Sequence, residues 1–499
     1  MSWGKIYCDT NWGENKYRTA GSIINEATPD CFQFPEFVSF KDHVRSEGAT
    51  YEKMQCGIDI LLFLGRSISI TPQSPDNPTF SGILDTYTGA TAGYSTRRLT
   101  NTYTGGLIRV RRSSDDAEQD IGYDANGEDL DISGLLAFVN EDVDVYTSDF
   151  SSTEDLSAGN GTGAAAQSVG GVNDAYKFTL SGGSTFHLAS LPSVMPVGQV
   201  FNVSYEYYIP SGQTVNEIKF IDSGLSSQST LDQWVTVNEI NKTSTRASLR
   251  FFASDGTTTV DADGDVFYLK NIVITQTTAD GAVTTFYDQS GNGNDATNST
   301  ESEQPLVVSG GTLVEENSKA AVEFSGNPVY LDASSAISDA FTGNSVYQKF
   351  EVAQVTSTSK GGILCANTGY RSFFNPPSYD YANFHNPNGL EVISSLSVDR
   401  TNQFLFSESF DANTGGGTYE LYGNGALERS QGSEGTSNLD TPTSVHIGRD
   451  PIGGSSAYLV GKIQEIIFFN SDQSANRGTV TTGGGTGIEG NINTYFDIV

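Results

Sequence analysis

The 499-residue sequence has few basic residues and no long apolar run. Its 27 lysines and arginines stand against 60 aspartates and glutamates, which gives a formal net charge of -33. A protein that binds a polyanion has to neutralise phosphates with clustered basic side chains, so this balance excludes a nucleic-acid partner. The absence of an uninterrupted apolar stretch of about 20 residues predicts no membrane insertion.

Cysteine is also scarce, with four residues in the whole sequence. None of them shows paired C-x-x-C spacing, which excludes a disulfide scaffold and a zinc site of the usual pattern. We therefore expect buried thiols. The first residues lack the basic and apolar regions of a secretory leader, so the sequence predicts a protein that is made and folded in the cytoplasm or leaves it by a route other than a signal peptide.

Turn-forming residues and aromatics are abundant instead. The sequence has 54 glycines and an aromatic content of 11%, together with many Ser, Thr, Asn and Asp residues. Such a composition is typical of short strands joined by tight turns, so we predict a mostly β protein. The spacing of Ile488, Ile492 and Tyr495 at i, i+4 and i+7 predicts a terminal helix.

The chain length predicts about three domains at a prior of roughly 150 residues each. Residues 1–70 contain two of the three tryptophans and three of the four cysteines, which indicates a separate N-terminal module. A proline-rich linker, 71–80, follows it, because three prolines in eight residues make a stiff connection.

Two segments distant in the sequence read as halves of one unit: Leu107–Gly122 and Thr285–Ala296. The residues between them alternate in a strand-like way, for example in 200–209 and 266–274, and turn residues separate the strands. This pattern predicts a second β-sandwich, 149–280, inserted into a discontinuous host domain, 81–148 and 281–499.

The split motif carries a resemblance. Arg109–Gly122 and Phe286–Asp295 resemble the catalytic domain of fungal B-type α-L-arabinofuranosidases, and they are more closely similar to virion proteins of tailed phages that use the same scaffold. The resemblance implies a mostly β fold: a concanavalin A-like β-sandwich with an inserted jelly-roll β-sandwich and a small N-terminal module. Residues 149–280 resemble the jelly-roll carbohydrate-binding modules of glycosidases.

This resemblance implies a structural virion protein, a fibre, spike or decoration protein, rather than an enzyme. We expect it on the exterior of the particle, attached to other virion proteins through 1–70 and displaying its β-sandwiches to a host-surface glycan. The family implies a homo-oligomer, most often a trimer. A glycoside hydrolase acting on host polysaccharide and a purely architectural particle protein are the alternatives.

A retaining glycosidase needs two carboxyl groups about 5 Å apart. The resemblance implies that Asp450, in the segment 446–454, corresponds to the acid/base aspartate of the arabinofuranosidases. The glutamate-bearing string of that family is missing here, and Glu351 and Glu391 are only loose positional candidates for a nucleophile. The alternative is that Asp450 caps a turn.

The densest aromatic and polar stretch predicts ligand contact, because sugars stack on aromatic rings while polar side chains meet their hydroxyls. The same composition would suit a subunit interface or packing within a loop. Its candidate ligand-binding residues are Tyr370, Phe374, Tyr379, Tyr381, Asn383 and His385.

Two further groups are candidates for a structural role. Asp261, Asp263 and Asp265 alternate around a glycine, which suits a structural Ca²⁺ or a solvated turn; the sequence requires no other cofactor. Within the split motif, we expect Asp288 to pair with Arg109 or Arg111 and close the host domain. The residues of this predicted clasp are Arg109, Arg111, Asp288 and Asn292.

Overall fold

The computed structural model describes residues 80–499 apart from short gaps, and two strands before them. The gaps are 151–155, 160, 182–188, 192, 221–223, 261, 334–336, 338–345, 357–360, 368–369, 376–378, 386–388, 394–395, 414–416, 433–440 and 453–456. Contacts divide the chain into two compact units, Met1–Pro78 and Thr79–Val499.

In the first unit the described residues are those of β1 (Lys5–Cys8) and β2 (Lys16–Thr19), which pair antiparallel. The rest of the predicted attachment module and nearly all of the predicted linker lie outside the described residues. The second unit begins with a short helix and a set of strands: α1 (Ile83–Thr86), β3 (Ala92–Ser95), β4 (Ile108–Arg112), β5 (Glu118–Ile121) and α2 (Ile132–Val139).

Ten strands follow before the second half of the split motif. They are β6 (Val143–Ser148), β7 (Ser157–Ala158), β8 (Gly161–Val169), β9 (Val172–Leu180), β10 (Ala189–Leu191), β11 (Val200–Tyr208), β12 (Glu217–Lys219), β13 (Val235–Thr243), β14 (Leu249–Ser254) and β15 (Val266–Gln276). One sheet has the order β12-β14-β10-β7 and the other β13-β11-β15-β9-β8. The two sheets enclose one apolar core, to which Phe251 contributes from one sheet and Phe201 and Tyr205 from the other.

The insertion begins earlier along the chain than the sequence pattern indicated. We predicted that 81–148 would belong to the host, yet β6 pairs antiparallel with β15, with Ser148 opposite Ile272. Pairing with the long central strand β15 satisfies the backbone groups of β6. A local sequence pattern cannot report this partner, because Ile272 lies 124 residues after Ser148.

The remaining strands build the host sandwich. They are β16 (Gly281–Phe286), β17 (Ala296–Thr297), β18 (Leu306–Ser309), β19 (Thr312–Leu313), β20 (Glu315–Glu316), β21 (Lys319–Ala320), β22 (Val322–Ser325), β23 (Leu331–Asp332), β24 (Val346–Val355), β25 (Leu364–Ala366), β26 (Tyr370–Asn375), β27 (Tyr379–His385), β28 (Gly389–Ile393), β29 (Phe404–Asp411), β30 (Thr418–Gly423), β31 (Ala426–Gly432), β32 (Val445–Ile447), β33 (Val460–Phe469), β34 (Thr479–Thr481) and β35 (Gly484–Thr486). The described helical segments here are a 3-10 turn, Glu301–Glu303, and the helices α3 (Ser474–Arg477) and α4 (Gly487–Phe496).

The host strands form one continuous antiparallel array in the order β25-β32-β23-β17-β16-β18-β22-β33-β24-β29-β30-β31. Strand β3 adds to β33 and β4 adds to β16, so residues before and after the insertion share the same sheet. The predicted fold class is thereby confirmed: the protein is mostly β, with a second β-sandwich inserted in the first.

Strand β24 lies between two apolar layers. Tyr347 belongs to the main host core, whereas Phe350 and Val352 pack with Ile488 and Ile492 of α4. The predicted terminal helix therefore covers the outer face of β24, and full burial of each such side chain stabilises the fold by roughly 1.5–3 kcal/mol. Among the described helices, none has the length and hydropathy to cross a bilayer.

Candidate functional site

The two halves of the split motif lie side by side. Strand β4 pairs antiparallel with β16, with Ile108 opposite Phe286 and Arg112 opposite Gly281, and β5 pairs with the other edge of β4. The chain between β4 and β16 includes β5, α2 and the inserted domain, and it returns to the strand next to β4.

Asp288, in the loop after β16, holds this loop against β3. Its carboxylate is buried; Oδ1 accepts hydrogen bonds from the backbone N–H groups of Gly93 (2.8 Å) and Ser290 (2.9 Å), and Oδ2 accepts one from that of Asn294 (3.0 Å). The side-chain amide of Asn292 donates to the carbonyl oxygen of Thr91 at 3.0 Å. Two predicted clasp residues, Asp288 and Asn292, therefore bind the backbone around β3.

The predicted ion pair between Asp288 and an arginine is wrong. Arg109 pairs with Asp120 at 2.7 Å, and Arg111 pairs with Asp116 at 2.6 Å. The register of β4 and β5 places Arg109 directly opposite Asp120, so the arginine finds its partner within the hairpin. Hydrogen bonding from Arg109 lowers the pKa of Asp120, to which Tyr287 also donates a hydrogen bond.

Removal of the Asp288 carboxylate should destabilise the host domain. In Asp288→Ala the buried N–H groups of Gly93 and Asn294 lose their acceptor, and hydrogen bonds to a charged group contribute about 1.5–3 kcal/mol each. We expect a loss of about 3 kcal/mol in the free energy of unfolding, measured by urea titration. The matched control is Asp120→Ala, where an exposed ion pair is lost and the expected cost is about 1 kcal/mol or less. Equal losses in the two variants would contradict the proposed role of Asp288.

Asp450, the candidate acid/base residue, is fully buried. Its N–H donates to the carbonyl oxygen of Ala457 at 2.9 Å, and its Oδ1 accepts a hydrogen bond from the N–H of Ile452 at 3.1 Å. These are the contacts of an aspartate that caps a turn, which is the alternative that the sequence left open. In this arrangement the carboxyl group is not exposed to solvent.

Glu351, the described candidate for a nucleophile, lies in a buried ionic cluster on β24 and β29. The Nζ atom of Lys349 lies 2.9 Å from Oε1 of Glu351 and 3.6 Å from Oε2 of Glu408. Tyr347 donates a hydrogen bond to Glu408 at 2.7 Å. Burial raises the pKa of Glu351 to about 7, against the attraction of Lys349, which lowers it. The side chain of Glu391 lies outside the described residues.

One cluster near Asp450 gave no signal in the sequence. The guanidinium carbon of Arg449 lies 5.0 Å from the ring centroid of Tyr330 and 4.9 Å from that of Tyr458, a distance at which cation–π attraction operates. The Tyr330 ring also lies 4.7 Å from the ring of His446, whose pKa burial lowers to about 4. The two tyrosines are far apart in sequence, so only the fold brings them together.

The aromatic stretch predicted to bind a ligand forms a three-stranded sheet, β26-β27-β28, in which Tyr370 stands opposite His385. The structure corrects the predicted role of Phe374 in ligand binding. Its ring is buried, 5.9 Å from the ring of Phe404 and 5.8 Å from that of Phe406, so it belongs to the host core. The side chains of the other candidates lie outside the described residues: Tyr370, Tyr379, Tyr381, Asn383 and His385.

The predicted calcium loop is described in part. Asp261 lies outside the described residues, and Asp263 is exposed. Oδ2 of Asp265 accepts hydrogen bonds from the N–H groups of Thr214 (2.8 Å) and Val215 (2.9 Å), so this carboxylate fixes a neighbouring loop. In the described part of the chain, no group of three or more His, Cys, Asp or Glu side chains could hold a metal ion. The calcium site stays a prediction.

The comparisons with known proteins found distant similarity to several solved structures. No family model and no curated protein matches this sequence.

A solved GH54 α-L-arabinofuranosidase, soaked with a cyclic sulfate inhibitor, is similar at 12% identity and a TM-score of 0.35 over 83% of this chain and 63% of that chain. The Ruminococcus gnavus IT-sialidase CBM40 bound to alpha2,3 sialyllactose is similar at 14% identity and a TM-score of 0.26 over 32% and 91% of the two chains. A native heptameric SAP-like pentraxin from Limulus polyphemus is similar at 12% and 0.26 over 32% and 80%. The matched region spans less than two thirds of the arabinofuranosidase, and likenesses of this size carry no activity to this chain.

Proposed function

We propose that this chain is a non-enzymatic structural protein of a tailed-phage particle, which displays glycan-binding β-sandwich domains on the particle exterior. In this proposal residues 1–70 attach it to other virion proteins.

 The subunits assemble as a homo-oligomer, a trimer by the resemblance. The resemblance of the split motif to phage virion proteins supports the location, and the net charge of -33 suits a surface exposed to solvent.

The main support for a function without catalysis is that two of the candidate catalytic carboxyl groups are buried. Asp450 is fully buried and caps a turn, and Glu351 is held by Lys349 inside the host core. A glycosidase has to place one carboxyl group on the glycosidic oxygen and the other on the anomeric carbon, which requires both groups to be accessible from the substrate groove. Neither group has that access here, so binding without turnover is the function that the geometry supports.

The support for glycan contact by the host domain is the composition of β26 and β27. In β27 every second residue is polar or aromatic, in the order Tyr379, Tyr381, Asn383 and His385. The register of the two strands pairs Tyr370 with His385 and Asn375 with Tyr379. Aromatic rings and hydrogen-bonding groups on a rigid sheet are what sugar recognition requires. The correction at Phe374 leaves five of the six candidate residues in this proposal.

A glycan-binding assay and a hydrolysis assay should give opposite results for this chain. We expect the purified chain to bind a subset of a bacterial-surface glycan array while releasing no nitrophenol from 4-nitrophenyl α-L-arabinofuranoside. Tyr381→Ala with His385→Ala should weaken array binding about tenfold, equivalent to about 1.4 kcal/mol. Asp450→Asn should leave glycan binding unchanged, since the carboxyl group is buried, and serves as the matched control.

Four results would change this assignment. Turnover that disappears in Asp450→Asn would establish the hydrolase. A chain that remains in purified particles but binds no glycan would leave a purely architectural protein. Absence of the chain from purified particles, detected by mass spectrometry, would contradict the virion location, and retention of a chain lacking 1–70 in particles would contradict the attachment role of that module.

A further inference from the structure

The outer face of the larger sheet in the inserted domain carries aromatic rings where polar side chains are the rule. In β11 the inward residues, such as Phe201 and Tyr205, are fully buried, while the alternate outward residues are half-buried. After Val200 the outward positions are polar, Asn202, Ser204 and Glu206, and the last one is Tyr208. This tyrosine breaks the alternation of apolar and polar residues that a one-sided sheet requires.

Tyr208 lies in a group of three rings, which we call the aromatic platform: Tyr208, Trp234 and Tyr268. Tyr268 stands directly opposite Tyr208 in the register of β11 and β15, with ring centroids 6.1 Å apart and the planes at 82°. The ring of Trp234, the residue before β13, lies 5.7 Å from that of Tyr208. Tyr208 and Trp234 are half-buried, so part of each residue meets solvent, whereas Tyr268 is buried and supports the other two rings.

The platform is held in place before any ligand binds. Trp234 donates its indole N–H to the carbonyl oxygen of Val169 at 3.0 Å, which fixes the ring and satisfies its polar atom. Gly170, at a φ of +58°, lies against both rings, because a Cβ there would stand 2.9 Å from Cε2 of Tyr208 and 3.2 Å from Cδ1 of Trp234. Rings fixed in advance lose little conformational entropy on binding.

The surroundings of the rings favour one kind of ligand. Lys177 stands opposite Tyr268 in the register of β9 and β15, and Lys270 stands opposite Glu206 in that of β11 and β15. The Nζ atom of Lys270 donates to the carbonyl oxygen of Asn173 at 2.9 Å. Lysines at neighbouring register positions of the same sheet disfavour a cationic partner, which aromatic faces would otherwise attract. A sugar ring fits better, because its C–H face stacks on an aromatic ring and its hydroxyl groups bond to ammonium and carboxylate groups at the edge.

We propose that the aromatic platform of the inserted domain binds neutral hexose units of a polysaccharide. The proposal rests on the proposed function for its class of ligand and adds a second site, because the platform lies in the inserted domain and would bind sugar even if β26 and β27 did not. Two sugar sites on one chain would engage a polysaccharide together, and the second contact would then profit from a high local concentration.

Tryptophan fluorescence tests the proposal directly. The chain has three tryptophans, so the Trp3→Phe, Trp12→Phe variant of the full chain reports on Trp234 alone. Titration with maltohexaose, cellohexaose and laminarihexaose should shift the emission with at least one of them. Tyr208→Ala in that background should raise its Kd about tenfold or more, whereas Tyr208→Phe should retain most of the binding.

The controls separate loss of the site from loss of the fold. Ser204→Ala, four residues earlier on the same face of β11, should leave the Kd unchanged, and circular dichroism melts should show that the Tyr208 variants are folded. Tyr381→Ala with His385→Ala should not affect this titration, so failure of the host-domain site and of the platform are distinguishable. No emission change with any of the three sugars up to about 10 mM would overturn the proposal. Self-association that Tyr208→Ala abolishes would also overturn it, in favour of a second copy of the chain as the occupant.

Discussion

Arg97→Ala should lose about 3–5 kcal/mol of folding free energy, the cost of breaking a buried ion pair. Arg97 and Glu465 form a two-pronged contact, Nε to Oε2 at 2.7 Å and Nη2 to Oε1 at 3.0 Å, with side chains 4% and 0% exposed. Ser95 donates a further hydrogen bond to the same carboxylate at 2.8 Å. Truncation of the arginine would leave the Glu465 charge buried and unpaired.

The same substitution should also loosen α4. The guanidinium carbon of Arg97 lies 4.5 Å from the ring centroid of Tyr495 and 5.5 Å from that of Phe496, so the arginine ties the terminal helix to β33. We expect faster amide exchange in α4 of Arg97→Ala than in the wild type. Urea titration measures the total loss of stability, and exchange mass spectrometry locates it.

Two variants make this prediction specific to the buried pair. Arg109→Ala removes an arginine from an ion pair whose side chains are 41% and 47% exposed, and such pairs contribute about 1 kcal/mol or less. The double variant Arg97→Met, Glu465→Leu removes both charges and should recover most of the loss, because apolar replacement of a buried pair is often nearly neutral. A loss below about 1 kcal/mol in Arg97→Ala would contradict the role assigned to the pair.

The stability of the protein should fall by about 3 kcal/mol between pH 5 and pH 8 through Glu351 alone. Burial raises the pKa of this carboxyl to about 7 in the folded chain, above its ordinary value of 4.5. The folded state then binds a proton that the unfolded state has released. The stabilisation is fully present below the ordinary pKa and is lost as the pH rises through about 7.

Glu351→Gln isolates this contribution. The amide oxygen can still accept the hydrogen bond from the N–H of Leu364, which lies 3.2 Å from Oε1 of Glu351, and Lys349 keeps Glu408 as its partner. The difference in unfolding free energy between the wild type and the variant should change by about 3 kcal/mol from pH 5 to pH 8, with the variant relatively more stable at the higher pH. Urea titrations at several pH values measure it, and parallel curves for the two proteins would contradict a raised pKa at Glu351.

The predicted clasp shows which contacts a local sequence pattern can predict and which it cannot. The sequence placed Leu107–Gly122 and Thr285–Ala296 in one unit, and β4 and β16 do pair in the structure. The predicted ion pair of Asp288 was wrong, because the partner of Arg109 depends on the register of β4 against β5, which sets Asp120 opposite Arg109. Charge and spacing identify residues that need a partner, and the strand pairing chooses among the candidates.

The candidate sites show the same limit. Phe374 is one of six candidates in an aromatic and polar stretch, yet it packs in the host core against Phe404 and Phe406. Tyr208, Trp234 and Tyr268 lie in separate segments, and the aromatic platform exists only after β11 and β15 have paired. A composition-based prediction finds residues able to bind a ligand, whereas accessibility is a property of the packed sheets.

The sequence by itself determined that this protein is mostly β, that a second sandwich interrupts the first, and that a helix with Ile488 and Ile492 on one face ends the chain. These features follow from local periodicity and turn chemistry, which act over a few residues. The tertiary structure alone decided that Asp450 and Glu351 are buried and that Tyr208 is not, since burial depends on contacts between strands far apart in the chain. Those contacts form only when hydrophobic burial of the whole core outweighs the entropy of closing such long loops.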